Sequence, residues 1–377
     1  MDEDKILIVT GEPSGDLHAG NLVKELLNLK PNLKILAVGS ENLKKAGADI
    51  FYDIKDLAVF GFFDVLKKLP KFIYLKKLIL KVIKEEKPKL IILVDFAGFN
   101  LRLAKVINKT LPIIYYISPQ VWASRAGRIK TIKKYISKMI VFFKFEEELY
   151  RKEKIEVDFV GHPLLEIVKS SIPKEEFLKK LGFSPIKNTI ALLPGSRAQE
   201  IKNILPIMLK VASYINKEIP SQFLIVKSLQ IEEKMYTEKI KDLNLEIKVV
   251  EGKNYDCLGA SDFALVCSGT ATLETAIMGV PFFIIYKMNL LNYLLYRPQV
   301  KIPYIGMVNI IAKRKIIPEF IQFKAKPKII AKELIKTLKD SSKIQEIKDK
   351  LIQIKNLLGP EGANRRAAKI ILGLLNS

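Results

Sequence analysis

The 377-residue chain is poor in the cysteine and histidine that build disulfide frameworks and many metal sites, and it lacks a long apolar run. It has two cysteines, Cys257 and Cys267, two histidines, His18 and His162, and one tryptophan, Trp122. Two cysteines give neither a disulfide framework nor metal-ligand spacing, which suits a reducing cytoplasm. No apolar run approaches the ~20 residues of a membrane-spanning helix. The acidic start Met1-Asp2-Glu3-Asp4 runs straight into a strand, so no secretory signal is expected. No loop reads as the Gly-Lys-Ser/Thr of a Walker motif or as the GxGxxG dinucleotide pattern.

What is abundant is positive charge, a net +23. The lysines are spread through nearly every amphipathic helix and form no single basic block. That pattern reads as solvated helix faces, and nucleic acid is not expected as a partner. The length favours two domains, and 49% hydrophobic residues can fill both cores.

The most informative stretch is 263–274. Phe263 to Val266 is too short for a buried helix and reads as a strand. Ser268, Gly269 and Thr270 turn the chain into a helix that carries Ala271, Thr272 and Glu274 and closes at Gly279, with Pro281 beyond. A strand, a tight turn and a helix N-terminus leave backbone N–H groups suited to phosphate. Glu274, one turn in, can accept from both hydroxyls of a ribose. An ordinary capped helix fits the same local pattern. A second such turn, Pro194-Gly195-Ser196-Arg197, follows a strand at 189–193, with an arginine placed for a diphosphate and a helix restarted at Pro206.

The N-terminal half alternates strands and helices in the manner of a parallel sheet. Gly11-Glu12-Pro13-Ser14-Gly15-Asp16 forms a turn after the first strand, at the edge where open α/β sheets bind ligands, and His18 follows in the next helix. The strand 90–94 ends in Asp95, which fits either a general base for a sugar hydroxyl or a helix-capping carboxylate. Ser118 to Arg125 carries Trp122. Segment 57–80 crowds Phe60, Phe62 and Phe63 ahead of a lysine-rich amphipathic helix that holds Leu66. It fits an interfacial helix on an anionic bilayer, or a core-facing helix with a solvated lysine face. The expected domains are 1–168 and 169–358, both Rossmann-like and facing a cleft, with a last helix in 359–377 returning to an N-terminal domain.

Five motifs carry a resemblance over nearly the whole chain: Gly-Glu-Pro-Ser-Gly-Asp at 11–16, Ser-Pro-Gln-Val-Trp-Ala at 118–123, Gly-His-Pro at 161–163, Leu-Leu-Pro-Gly-Ser-Arg at 192–197 and Ser-Gly-Thr-Ala-Thr-Leu-Glu at 268–274. They resemble the lipid-A-disaccharide synthase family of GT-B glycosyltransferases. The resemblance implies an inverting transfer between UDP-2,3-diacylglucosamine and 2,3-diacylglucosamine 1-phosphate, giving a β-1,6 disaccharide and UDP. It makes Asp95 the essential acid and places Gly195, Ser196, Arg197, Ser268, Gly269, Thr270, Ala271, Thr272, Glu274 and Asn309 around the UDP-sugar. Gly11, Ser14, Gly15, Asp16, His18 and Trp122 would line the acceptor cleft, and Phe60, Phe62, Phe63 and Leu66 would meet acyl chains or bilayer. No metal or cofactor is implied, since the only Asp-x-Asp is 2–4. The implied location is cytoplasmic, against an anionic inner membrane, with monomer and homodimer both open. Ser124 departs from the family's usual tryptophan, and Phe96-Ala97-Gly98 from its Ala-Pro-Asp. The rivals are a UDP-sugar transferase or epimerase on the same fold, and a membrane or nucleic-acid binding protein without turnover.

Overall fold

A computed structural model describes residues 4–57, 69–107, 110–296, 298 and 302–375. The chain forms two compact units, Met1–Pro163 with Leu358–Ser377, and Leu164–Leu357.

In the first unit, the described strands are β1 (Lys5–Val9), β2 (Lys34–Gly39), β3 (Asp49–Asp53), β4 (Leu90–Val94), β5 (Ile113–Tyr116), β6 (Lys138–Val141) and β7 (Val157–Phe159). They form one parallel sheet in the order β3-β2-β1-β4-β5-β6-β7. Side chains alternate across it. Ile6 and Ile8 pack with Leu22, Leu26, Ala367 and Ile371 on one face. Leu7 and Val9 pack with Leu75, Ile79, Leu103 and Ile132 on the other. Both faces are covered, which is why β1 and β4 read as continuous apolar runs. The last helix, Ala363–Leu375, lies beside Pro13–Leu29. Arg366 at its start donates Nε to the Val160 carbonyl at 2.9 Å, and the Tyr116 hydroxyl reaches Asn364 Oδ1 at 3.1 Å.

The second unit repeats the plan with β8 (Asn188–Leu193), β9 (Ser221–Lys227), β10 (Glu246–Glu251), β11 (Phe263–Cys267), β12 (Phe282–Tyr286) and β13 (Glu319–Ile321). Their order is β10-β9-β8-β11-β12-β13, all parallel. The helix expected to restart at Pro206 is continuous from Ala198 to Glu218. An interior proline costs about 3 kcal/mol. Here burial of Ile201, Ile204, Leu205, Met208, Ala212 and Ile215 along one face outweighs it.

These strand orders decide where ligands can bind. In each sheet the chain winds outward, then returns to lay a strand on the other side of the first. The switch points fall between β1 and β4 and between β8 and β11. Open α/β sheets bind ligands beyond the strand C-termini at such points. The Gly11–Asp16 and Asp95 loops flank the first, and the Gly195–Arg197 and Ser268–Thr272 loops flank the second.

Candidate functional site

Asp95 follows β4 with φ +44°, and Phe96 follows with φ +45°. Two consecutive non-glycine residues in the left-handed region are strained by about 1–2 kcal/mol each, so the surroundings must enforce the turn. They do. The Asp95 N–H donates to the Tyr116 carbonyl at 3.1 Å. Its own carbonyl accepts from Asn100 Nδ2 at 2.9 Å and from the Tyr115 hydroxyl. The same Asn100 amide group donates to Val94 O at 3.1 Å and Val9 O at 3.4 Å, lacing the ends of β4 and β1 together. Asn100 and Tyr115 are the positioning residues that sequence reading missed. The Phe96 ring turns back over Gly11, where a Cβ would fall 2.1 Å from Phe96 Cδ1. It stacks on Phe99 at 5.6 Å. The turn is thus held through the Asp95 backbone. That carboxyl is pushed up to about 6 by burial and then by the nearby Glu12 charge, against the Phe96 amide and the Arg128 charge, which pull it down.

The other N-terminal residues divide. Ser14 is exposed at the first turn of Pro13–Leu29, with Gly15 buried behind it, and that helix has no side-chain cap. Asp16, expected in the acceptor cleft, is instead a brace. It is buried, and its carboxylate accepts the Ser40 N–H at 2.6 Å, the Asn42 N–H at 3.0 Å and Asn42 Nδ2 at 2.9 Å. His18 is half-buried, edge-on to Phe142 at 5.5 Å, and burial lowers its pKa to about 4. It is a neutral ring at physiological pH. Trp122 donates Nε1 to Glu146 Oε1 at 3.1 Å. Burial pushes the Glu146 carboxyl up to about 8, opposed by hydrogen bonds from Trp122 and Ser118, so it carries its proton at neutral pH. A folded-state pKa raised this far favours folding fully below the unfolded value, and that favour is lost as pH rises toward 8. Glu146→Gln keeps the acceptor for Trp122 and removes the ionisation. Thermal unfolding should show variant and wild type alike at pH 4 and the variant more stable at pH 9.

In the second unit the two turns differ. The turn at 194–197 already holds an anion: Glu200 Oε2 accepts the Ser196 N–H at 3.0 Å and the Arg197 N–H at 3.3 Å. Gly195 makes room for it at φ +120°, where a Cβ would lie 2.5 Å from Glu200 Oε2. These two amides, expected to face a diphosphate, are turned to Glu200 in this structure. The Arg197 guanidinium, on a side chain 75% exposed, lies 3.5 Å from Glu200 Oε1. The helix Thr270–Ile277 is capped by Gly269 with no side-chain hydrogen bond. At its start Thr270 is exposed and Ala271 half-buried, the positions where a helix leaves N–H groups unshared, while Thr272 is buried and its N–H donates to Gly269 O at 3.1 Å. Ser268 Oγ ties the turn to the Ile305 carbonyl at 2.9 Å, and Thr272 Oγ1 closes on Gly269 O at 2.8 Å. Burial raises the Glu274 pKa, opposed by a hydrogen bond from the Tyr255 hydroxyl, which reaches Oε1 at 2.9 Å.

Asn309, expected beside the UDP-sugar, is fully buried and its amide is used internally. Oδ1 accepts the Ile316 and Ile317 N–H groups at 2.8 and 2.9 Å, and Nδ2 donates to Ile317 O and Glu319 Oε1, both at 2.8 Å. Glu319 in turn accepts the Gly306 N–H at 2.9 Å and the Ile305 N–H at 3.1 Å. Asn309 acts on the Ser268 turn through this chain of contacts. Phe60, Phe62, Phe63 and Leu66 lie outside the described residues.

Two Rossmann-like units, each carrying its functional loops at a topological switch point, define a GT-B fold of the glycosyltransferase type. Solved structures share it: the glycotransferase of kitacinnamycin (TM-score 0.68, 12% identity, 99% of this chain and 100% of that one), and a Listeria monocytogenes protein described as a putative UDP-N-acetylglucosamine 2-epimerase (TM-score 0.65, 14% identity, 100% and 96%). Identities this low speak to fold alone. The family model for lipid-A-disaccharide synthetase matches residues 6–371. The lipid-A-disaccharide synthase of Syntrophus aciditrophicus (strain SB) is 40% identical over 378 residues, covering 100% of this chain and 99% of that one. The chain belongs to the lipid-A-disaccharide synthase family, glycosyltransferases of lipid A biosynthesis.

Proposed function

We propose that the chain joins UDP-2,3-diacylglucosamine to 2,3-diacylglucosamine 1-phosphate with inversion, giving the β-1,6-linked disaccharide 1-phosphate and UDP. The observation that carries this reading is Asp95, a carboxyl held at the β1/β4 switch point with its pKa raised to about 6 by burial. It takes the proton of the acceptor 6-hydroxyl as that oxygen attacks the donor anomeric carbon and the bond to UDP breaks. The N–H groups at the start of Thr270–Ile277 and the Arg197 guanidinium meet the charge that grows on the leaving diphosphate. The Glu274 carboxylate accepts from the ribose. The first unit thus serves the acceptor and the second the UDP-sugar, and no metal is needed. Incubation with both substrates should yield disaccharide 1-phosphate and UDP one to one by mass spectrometry. UDP binding without product would point to another acceptor. Altered donor sugar with no acceptor present would point to an epimerase.

Both substrates carry acyl chains, and the surface supports docking to an anionic bilayer from the cytoplasmic side. Helix Leu69–Glu86 buries Leu75 and Ile79 yet leaves Leu69 and Ile73 46% and Tyr74 60% exposed. These three, with Pro70 and Lys77, line a shallow apolar groove. One face of this helix is core-facing, and the exposed apolar residues on the other support the interfacial reading. In the second unit Leu290 and Leu294 are exposed on helix Leu290–Tyr296. Among the described residues no helix is long and apolar enough to cross a membrane. Lysines near an anionic surface contribute about 1 kcal/mol each. Ile73→Asp with Tyr74→Asp should cut co-sedimentation with anionic vesicles at least fivefold without lowering Tm. Unchanged co-sedimentation would remove this helix from the docking surface.

A further inference from the structure

The segment that carries Trp122 also delivers cations to the rim of the Asp95 site. It is anchored along its length: Ser118 Oγ shares a hydrogen bond with the Tyr150 hydroxyl at 2.8 Å, Trp122 holds Glu146, and the Ser124 N–H donates to Gln120 O at 3.2 Å. From this fixed turn Arg125, at φ +55°, and Arg128 emerge together, the Arg128 N–H donating to Arg125 O at 3.0 Å. Arg128 opens the helix Arg128–Tyr135, which packs against Ala97–Ile107, the helix that follows Asp95 and carries Arg102. Arg102 and Arg125 are exposed and Arg128 is half-buried. Among the described residues, none of the three has a carboxylate within salt-bridge distance.

That arrangement is unfavourable as it stands. Burial, then the charges of Arg125 and Arg102, pull the Arg128 guanidinium below its usual range, against the attraction of Tyr115 and Asp95. Like charges gathered around a partly desolvated one favour an incoming anion. In a chain where lysine far outnumbers arginine, the type of cation matters too. A guanidinium presents a planar fork that matches phosphate oxygens two at a time, which an ammonium does not. An anion seated there would lie in the first unit, near Asp95.

We infer that Arg102, Arg125 and Arg128 form a phosphomonoester subsite that takes the 1-phosphate of the acceptor sugar. The identity of that sugar rests on the function proposed above. The phosphate assignment rests on the arginines alone. With the phosphate held at one end of the sugar, the ring is oriented so that the 6-hydroxyl is offered toward Asp95.

Calorimetric titration with glucosamine 1-phosphate, in saturating UDP so that the donor turn is filled, tests the subsite without turnover. Wild type should bind it and show no heat with glucosamine. Arg125→Gln with Arg128→Gln should weaken binding at least tenfold at unchanged Tm, and Arg102→Gln severalfold. In turnover, the same double variant should lower the ratio of kcat/KM for the phosphorylated over the dephosphorylated acceptor at least tenfold. Equal Kd in wild type and double variant, no binding by wild type, or an unchanged kcat/KM ratio would overturn the subsite. Arginine-dependent binding in a protein that forms no disaccharide would retain the subsite and discard the transfer reading.

Discussion

Asp95→Asn should lower kcat by about 10²–10⁴, the range for removing a positioned general base, with little change in KM for the donor. The variant isolates chemistry from structure unusually well. What holds the turn is the Asp95 backbone, through Asn100, Tyr115 and Tyr116, and asparagine tolerates the left-handed φ that this turn requires. Folding should therefore survive. It should improve at neutral pH, because a carboxyl whose pKa is raised to about 6 by burial opposes folding once ionised. The expected gain is of the order of 1–3 kcal/mol. A variant that is inactive and more stable would mark a site where stability has been traded for function. A variant that is inactive and unfolded would instead make Asp95 a structural residue.

Asn309→Ala should be the most damaging substitution in the second unit. It leaves the Ile316 and Ile317 N–H groups and the Ile317 carbonyl without their partner and removes one donor from Glu319. Each buried polar group left unpaired costs about 1–3 kcal/mol, so a loss of at least about 3 kcal/mol follows. Because Glu319 holds the 305–306 backbone, and Ile305 O holds Ser268, the damage should also reach the donor turn. UDP affinity should fall along with Tm. If Asn309 touched the donor directly, affinity would fall while Tm stayed put.

How much of this was legible depended on how local the physics is. The strands of both sheets show as short apolar runs because each is buried on both faces. The turns at Ser268 and Asp95 show because small residues and a carboxylate at strand ends are local features. The rest depends on partners far along the chain. Asp16 reads as an acidic residue in a glycine turn, and only the fold brings it to Ser40 and Asn42. Asn309 reads as a polar residue near the donor, while its partners sit on the approach to and within β13. Glu200 was closer to hand, three residues after Arg197. Its occupation of the turn departs from the usual Ser/Thr-led capping pattern, so the turn looked emptier than it is. Asn100 and Tyr115 owe their role to neighbouring elements around β4, which no local pattern announces.

The most direct test of the account is the pH dependence of kcat/KM for wild type, Glu12→Gln and Asp95→Asn. A base must be ionised, so the wild-type rate should fall below an apparent pKa near 6, the value burial and Glu12 impose on Asp95. Removing the Glu12 charge should move that limb to lower pH, and the residual activity of Asp95→Asn should lack it. An acid limb that persists unchanged in Asp95→Asn would place the base elsewhere and contradict the mechanism.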